Sequence, residues 1–195
     1  MRRVLLSLML AWCGTGAAWA ADSEGRFAAE GVGQLTCASF NEAAALRDQT
    51  ALLRFASWLD GYYTGLNAHM PDTFTALPWQ DTNLLMQKMR LYCQQRPSDP
   101  FMVGVAAYTA TLLPNRLQES AGRISITYGG ESVIMYAPVF DEFRAKLEAW
   151  QQTPFSAPQG EFGEEIATAI KGFQRSVNLP ETGLPDQLTL EQLMR

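Results

Sequence analysis

Residues 160–194 read GEFGEEIATAIKGFQRSVNLPETGLPDQLTLEQLM, and this stretch decides the fold. Ile166, Ala169, Ile170, Phe173 and Val177 recur every three or four positions, which predicts a helix over 164–177 with one apolar stripe. Pro180, Gly183 and Pro185 then make 178–186 a loop, and 188–194 a short further helix. Upstream, Val139, Phe140, Phe143, Leu147 and Trp150 share a stripe over 139–151, and a polar loop with Pro154, Pro158 and Gly160 follows it. Residues 139–195 are therefore expected to form a three-helix module, small enough to need support from a neighbour.

Working further upstream, Arg123 to Tyr128 alternates apolar and polar residues, Gly129-Gly130 supplies a turn, and Ser132 to Tyr136 returns. That pattern predicts a β-hairpin within a connector over 119–138, ended by Pro138 and packed on a neighbour, because a lone hairpin is marginal in water. Before it, four helices are expected within 21–118: 37–46 opened by Thr36, 49–67, 81–94 opened by Asp81, and 100–113 ended by Pro114. Gly61 and Gly65 interrupt the second of these at a cost of about 1 kcal/mol each, which suggests close approach by another backbone. The fold class is mainly α: a four-helix N-terminal domain, a hairpin connector and a three-helix C-terminal module.

Residues 1–20 have the form of a secretory signal peptide. Arg2 and Arg3 lead an apolar run over 4–12, and Ala18-Trp19-Ala20 gives the small-x-small cleavage pattern. The run is too short to span a bilayer, and Trp12 before Cys13 argues against lipidation. No membrane insertion is expected, and the expected location is the periplasm. The chain carries a formal charge of −5, and loss of Arg2 and Arg3 makes it more negative still. An acidic chain of this kind is a poor partner for nucleic acid.

After cleavage Cys37 and Cys93 remain, an even pair in an oxidising compartment. A disulfide between them is expected; the alternative is two buried free thiols. Such a bond contributes on the order of 4 kcal/mol in the chain-entropy model. His69 is the one histidine and reads as a turn residue, so no His/Cys zinc cluster and no serine–histidine or cysteine–histidine set can be assembled. A carboxylate pair is a third route to hydrolysis, and no pair stands out. The chain is expected to be non-enzymatic, with no metal and no cofactor.

Two resemblances follow from these residues. Gly160, Phe162-Gly163, Ala169, Phe173-Gln174, Leu179, Thr182-Gly183, Asp186, Thr189 and Leu193 are similar to the peptidoglycan-binding domain found beside many cell-wall hydrolases, while Gln159, Ile166 and Asn178 depart from its usual pattern. The resemblance implies a ligand groove between the second and third helices of the module, lined by Gln174, Arg175, Asn178, Thr182 and Asp186. Gln174 would donate and accept toward a sugar or peptide amide, and Arg175 would meet a stem-peptide carboxylate. The alternative is a packing module that has lost glycan binding. Trp58-Leu59-Asp60-Gly61-Tyr62-Tyr63-Thr64-Gly65, with Cys37 before it and Leu91-Tyr92-Cys93 and Pro97 after it, resembles the periplasmic acid-stress chaperones of the HdeA type and the immunity proteins that neutralise secreted effectors. The combined expectation is a non-enzymatic periplasmic protein that binds peptidoglycan through its C-terminal domain and a protein partner through its helical domain. An acid-stress chaperone acting on periplasmic clients, and an immunity protein binding one effector, are the alternatives.

Overall fold

The computed structural model describes residues 27–194, so the expected leader, residues 1–20 with Cys13, lies outside the described residues. Cys37–Leu46 forms α1, Gln49–His69 α2, Thr82–Gln95 α3 and Phe101–Leu112 α4. Arg123–Tyr128 and Glu131–Tyr136 form the antiparallel strands β1 and β2, followed by α5 (Ala137–Gln151), α6 (Glu164–Ser176) and α7 (Gln187–Leu193). The protein is mainly helical with one small hairpin.

The first core lies among α1–α4. Phe40, Phe55 and Phe101 meet there with ring centroids 4.8–5.2 Å apart, in edge and tilted arrangements that add about 0.5–1.5 kcal/mol per pair beyond burial. Cys37 and Cys93 are bonded, their Cα atoms 4.7 Å apart, so the start of α1 is stapled to the end of α3. Thr36 precedes α1 as expected, yet its side chain caps nothing. The carbonyls of Asp99 and Pro97 instead accept from the Cys37 and Ala38 amides, both at 2.8 Å, so the turn after α3 satisfies those donors of α1. Asp48 caps α2 by accepting from the Ala51 amide at 3.0 Å, and Asp81 caps α3 by accepting from Leu84 at 2.7 Å. Exposed His69 ends α2, two residues beyond the expected stop.

The glycines that matter sterically are not the expected pair. A Cβ at Gly61 or Gly65 would meet nothing within 4 Å, so no backbone approaches α2 there. Close approach occurs at Gly33, where a Cβ would lie 2.3 Å from the Trp58 ring, and at Gly104, 2.6 Å from the Tyr92 ring. Glycine spacing in α2 does not by itself say which helix face is covered.

The second core joins the hairpin to α5–α7 through Ile126, Met135, Phe140, Phe143, Ile166, Ile170 and Leu190. The hairpin was expected as a connector. With Ile126 and Met135 buried in this core, it is a wall of the C-terminal module. Pro138 does more than end β2: it stands in the first turn of α5, where its missing N–H costs nothing and its fixed φ suits the helix. Arg144 on α5 is buried, and its guanidinium donates to the carbonyls of Ala157 and Pro158 and to Glu148, fastening the polar loop between α5 and α6.

The two cores meet along a narrow seam. Thr75 and Leu117 form an isolated antiparallel bridge, Phe74 packs edge-on to Tyr136, and Trp79 leans from the first half onto the second core. Gln187, at the start of α7, accepts from the Asp81 amide at 3.1 Å, and Lys88 of α3 pairs with Glu191 of α7. Among the described residues no helix is long and apolar enough to cross a membrane.

Candidate functional site

The candidate site is the corner where α6 turns into α7. It begins with the end of α6. Asn178 adopts the left-handed conformation at φ 57°, the Asn178 amide donates to the Arg175 carbonyl at 3.2 Å, and the Leu179 amide donates to the Gln174 carbonyl at 2.8 Å. These two bonds close a Schellman motif, in which asparagine tolerates the conformation glycine usually takes. Asn178 is thus exposed and acts through its backbone.

Gln174 does not face a groove. It is completely buried, and its amide is saturated by the 182–189 segment. Its Nε2 donates to Thr182 Oγ1 at 2.8 Å, Thr189 Oγ1 at 2.8 Å and the Leu184 carbonyl at 3.2 Å, while its Oε1 accepts from the Gly183 amide at 3.0 Å. The two hydroxyls pass the polarity on to one carboxylate. Thr182 donates to Asp186 Oδ2 at 2.7 Å, and Thr189 donates to Asp186 Oδ1 at 2.8 Å. Asp186 also caps α7 by accepting from the Thr189 amide at 2.9 Å. A neutral amide donates to hydroxyls and the hydroxyls donate to a carboxylate, so every donor in the set has an acceptor.

This corrects the role expected for Gln174. A side chain with no exposed surface and filled hydrogen-bond capacity cannot offer an amide to a sugar; it builds the loop that a ligand would touch. The structure does bring Gln174, Thr182 and Asp186 together, through a direct network. Gly183 belongs to the same corner. Its φ of +70° suits glycine, and a Cβ there would sit 2.9 Å from the Tyr128 ring of β1. Tyr128 in turn donates to Glu164 at 2.9 Å and lies under the Lys171 ammonium, which ties the hairpin to α6.

Arg175 is outward and exposed, as a ligand-facing residue needs to be. Its guanidinium is engaged by Glu181 in a two-point contact, with Nε to Oε1 at 2.9 Å. The side-chain hydrogen bond from Arg175 lowers the Glu181 carboxyl below its ordinary value, and the same bond raises Arg175. At full exposure such a pair contributes little to stability, so an incoming carboxylate can exchange with Glu181. Trp150, read from sequence as part of the inward stripe of α5, is in fact 42% exposed. It packs edge-on to Phe173 over Gly172, where α6 is narrow enough to seat it. The stripe periodicity could not separate a core position from a rim position.

Among the described residues no three His, Cys, Asp or Glu side chains are grouped to hold a metal ion.

Residues 141–193 match the family model described as a putative peptidoglycan binding domain. The match takes in α5 from its second turn, α6, the loop and all of α7, and it supports peptidoglycan binding by this C-terminal region. No characterised protein and no solved structure matches the chain with significance.

Proposed function

We propose that this is a non-enzymatic periplasmic protein that holds peptidoglycan through its C-terminal module and a protein partner through the remainder of the chain. The observation that carries the reading is the family match over residues 141–193. The cystine supports an oxidising location, outside the reducing cytosol. The leader-like residues 1–20 point the same way.

The surface for the wall is the outer side of the α6–α7 corner. There Arg175 supplies a cation for a stem-peptide carboxylate, and buried Gln174 holds the loop in shape from within through exposed Thr182 and half-buried Asp186. Sedimentation with purified sacculi tests this. The protein is expected to co-sediment well above an albumin control, and Arg175→Glu to reduce the bound fraction several-fold. Absence of enrichment for the unaltered protein removes the reading.

A protein-binding role for the helical half is supported by its surface. Phe27, Leu35, Leu46, Leu53, Leu91 and Val103 are large apolar side chains exposed on it. The resemblance to acid-stress chaperones and to effector-neutralising immunity proteins gives two forms that role can take. Suppression of client aggregation at low pH distinguishes them: a chaperone suppresses it, and an immunity protein does not.

A further inference from the structure

A cleft of about 660 Å³ opens between the hairpin and the segment before α3. One wall is Ser132, Val133, Ile134, Met135 and Tyr136, five consecutive residues of β2. Successive side chains of a strand point to opposite faces, so a cleft over one face would be lined by every second residue. Lining by an unbroken run means that the cleft lies along the strand's edge.

The register says which backbone groups look into it. Tyr128 pairs with Glu131 across the two-residue Gly129-Gly130 turn, both glycines at positive φ, which makes that pair the hydrogen-bonded one. Alternation then makes Ile126–Val133 and Ile124–Met135 hydrogen-bonded pairs as well. The Ala137 amide donating to the Gly122 carbonyl at 2.9 Å continues the same alternation one step beyond the strands. Ser132 and Ile134 therefore turn their N–H and C=O groups away from β1, toward the cleft. Among the described residues neither makes a main-chain hydrogen bond to another segment. The side chain of Ile134 is 66% exposed above them.

We propose that the outer edge of β2 is a docking edge for an extended peptide segment of a partner protein, which pairs with Ser132 and Ile134 and lies between them and the Leu77–Asp81 wall. The occupant follows from the chemistry of the site. Alternating outward donors and acceptors match a peptide backbone, the strand-addition mode of recognition. At about 3.4 Å per residue, residues 132–136 give room for four or five residues of such a strand. The opposite wall is formed by Leu77, Pro78, Trp79, Gln80 and Asp81. A peptidoglycan stem peptide fits less well, because its D-residues and side-chain linkage break the even spacing that pairing requires. Arg123 and Asp81 also line the cleft and give a peptide charges of both signs to meet. This rests on the protein-partner part of the reading above and adds to the helical half a second place for a partner, on the hairpin wall of the C-terminal module. It stands on the edge geometry, so it survives or fails separately from binding to sacculi.

The test uses the whole disulfide-bonded protein and a random heptapeptide library displayed on phage. Enriched peptides are expected to bind the unaltered protein about five- to tenfold more tightly than Ile134→Pro, which deletes the outward donor and leaves the bonds to β1 in place. Equal thermal unfolding of the two proteins shows that the hairpin survives the substitution. Independently of any protein variant, methylating the peptide's amide nitrogens in one alternating phase is expected to abolish binding, while the opposite phase retains it. Bound peptide is further expected to slow hydrogen exchange at Ser132 and Ile134. Three results would overturn the proposal: no enrichment or binding indifferent to Ile134→Pro and to methylation phase, displacement by soluble muropeptides, or a concentration-dependent dimer of the protein lost in Ile134→Pro.

Discussion

Gln174 shows how one side chain organises a site without touching a ligand. Its amide contacts Thr182, Gly183, Leu184 and Thr189 from a fully buried position, so its removal leaves several polar groups without partners. Gln174→Ala is expected to lower stability by about 2–4 kcal/mol, read as a fall in the unfolding midpoint of the C-terminal module. The glycines provide a pair of opposite sign. Gly61→Ala, with open space around a new Cβ in a helix interior, should stabilise by about 0.5–1 kcal/mol. Gly104→Ala drives a methyl into the Tyr92 ring and should destabilise by about 1–3 kcal/mol. Chemical denaturation of the three variants separates these outcomes. From sequence, Gly61 and Gly104 look alike, because a glycine's role depends on what crosses it. Gln174 was legible as a motif position for the same partial reason: the motif marks that the residue matters, and burial decides how.

At the level of elements, the sequence located each of α1–α7 to within a few residues, by an apolar stripe in α2, α3, α5 and α6 and by bounding prolines in the almost uniformly apolar α4. The ends were less legible where tertiary partners act. The carbonyls that serve the first amides of α1 lie some sixty residues away in the turn after α3, and no local pattern announces them. The hairpin was readable from Gly129-Gly130 and the flanking alternation, but its place in the second core was not, since alternation gives a face without naming what covers it. Between α2 and α4, Tyr63 bonds to Thr109 at 3.0 Å, and burial pushes its hydroxyl up to about 12. A raised value in the folded state favours the neutral form. The resulting stability is present below the ordinary tyrosine value near 10 and is lost as the pH rises from there through about 12. The unfolding midpoint of the unaltered protein is expected to fall over that window more steeply than that of Tyr63→Phe.

Across the whole molecule, the cystine joins α1 to α3, and the polar contacts of Lys88 and Asp81 join α3 to α7. Reduction is expected to cost the helical half on the order of 4 kcal/mol, measurable as the difference in unfolding free energy with and without a reductant. Lys88→Met leaves the partly buried Glu191 carboxylate without this ammonium partner, and is expected to loosen the seam before either core melts, visible as faster hydrogen exchange in α7. The seam itself was invisible in the sequence, because its partners lie tens of positions apart, about a hundred for Asp81–Gln187 and Lys88–Glu191, and no local pattern pairs them. Its make-up has a mechanical consequence under the function proposed above, with the C-terminal module held by the wall and the helical half by a partner. Tension between the two attachments would be borne by a few hydrogen bonds, the Lys88–Glu191 pair and the packing of Trp79 and Phe74. The covalent staple sits upstream of that line. Under load the molecule should part at the seam first, with both cores intact, and rejoin when the force is released.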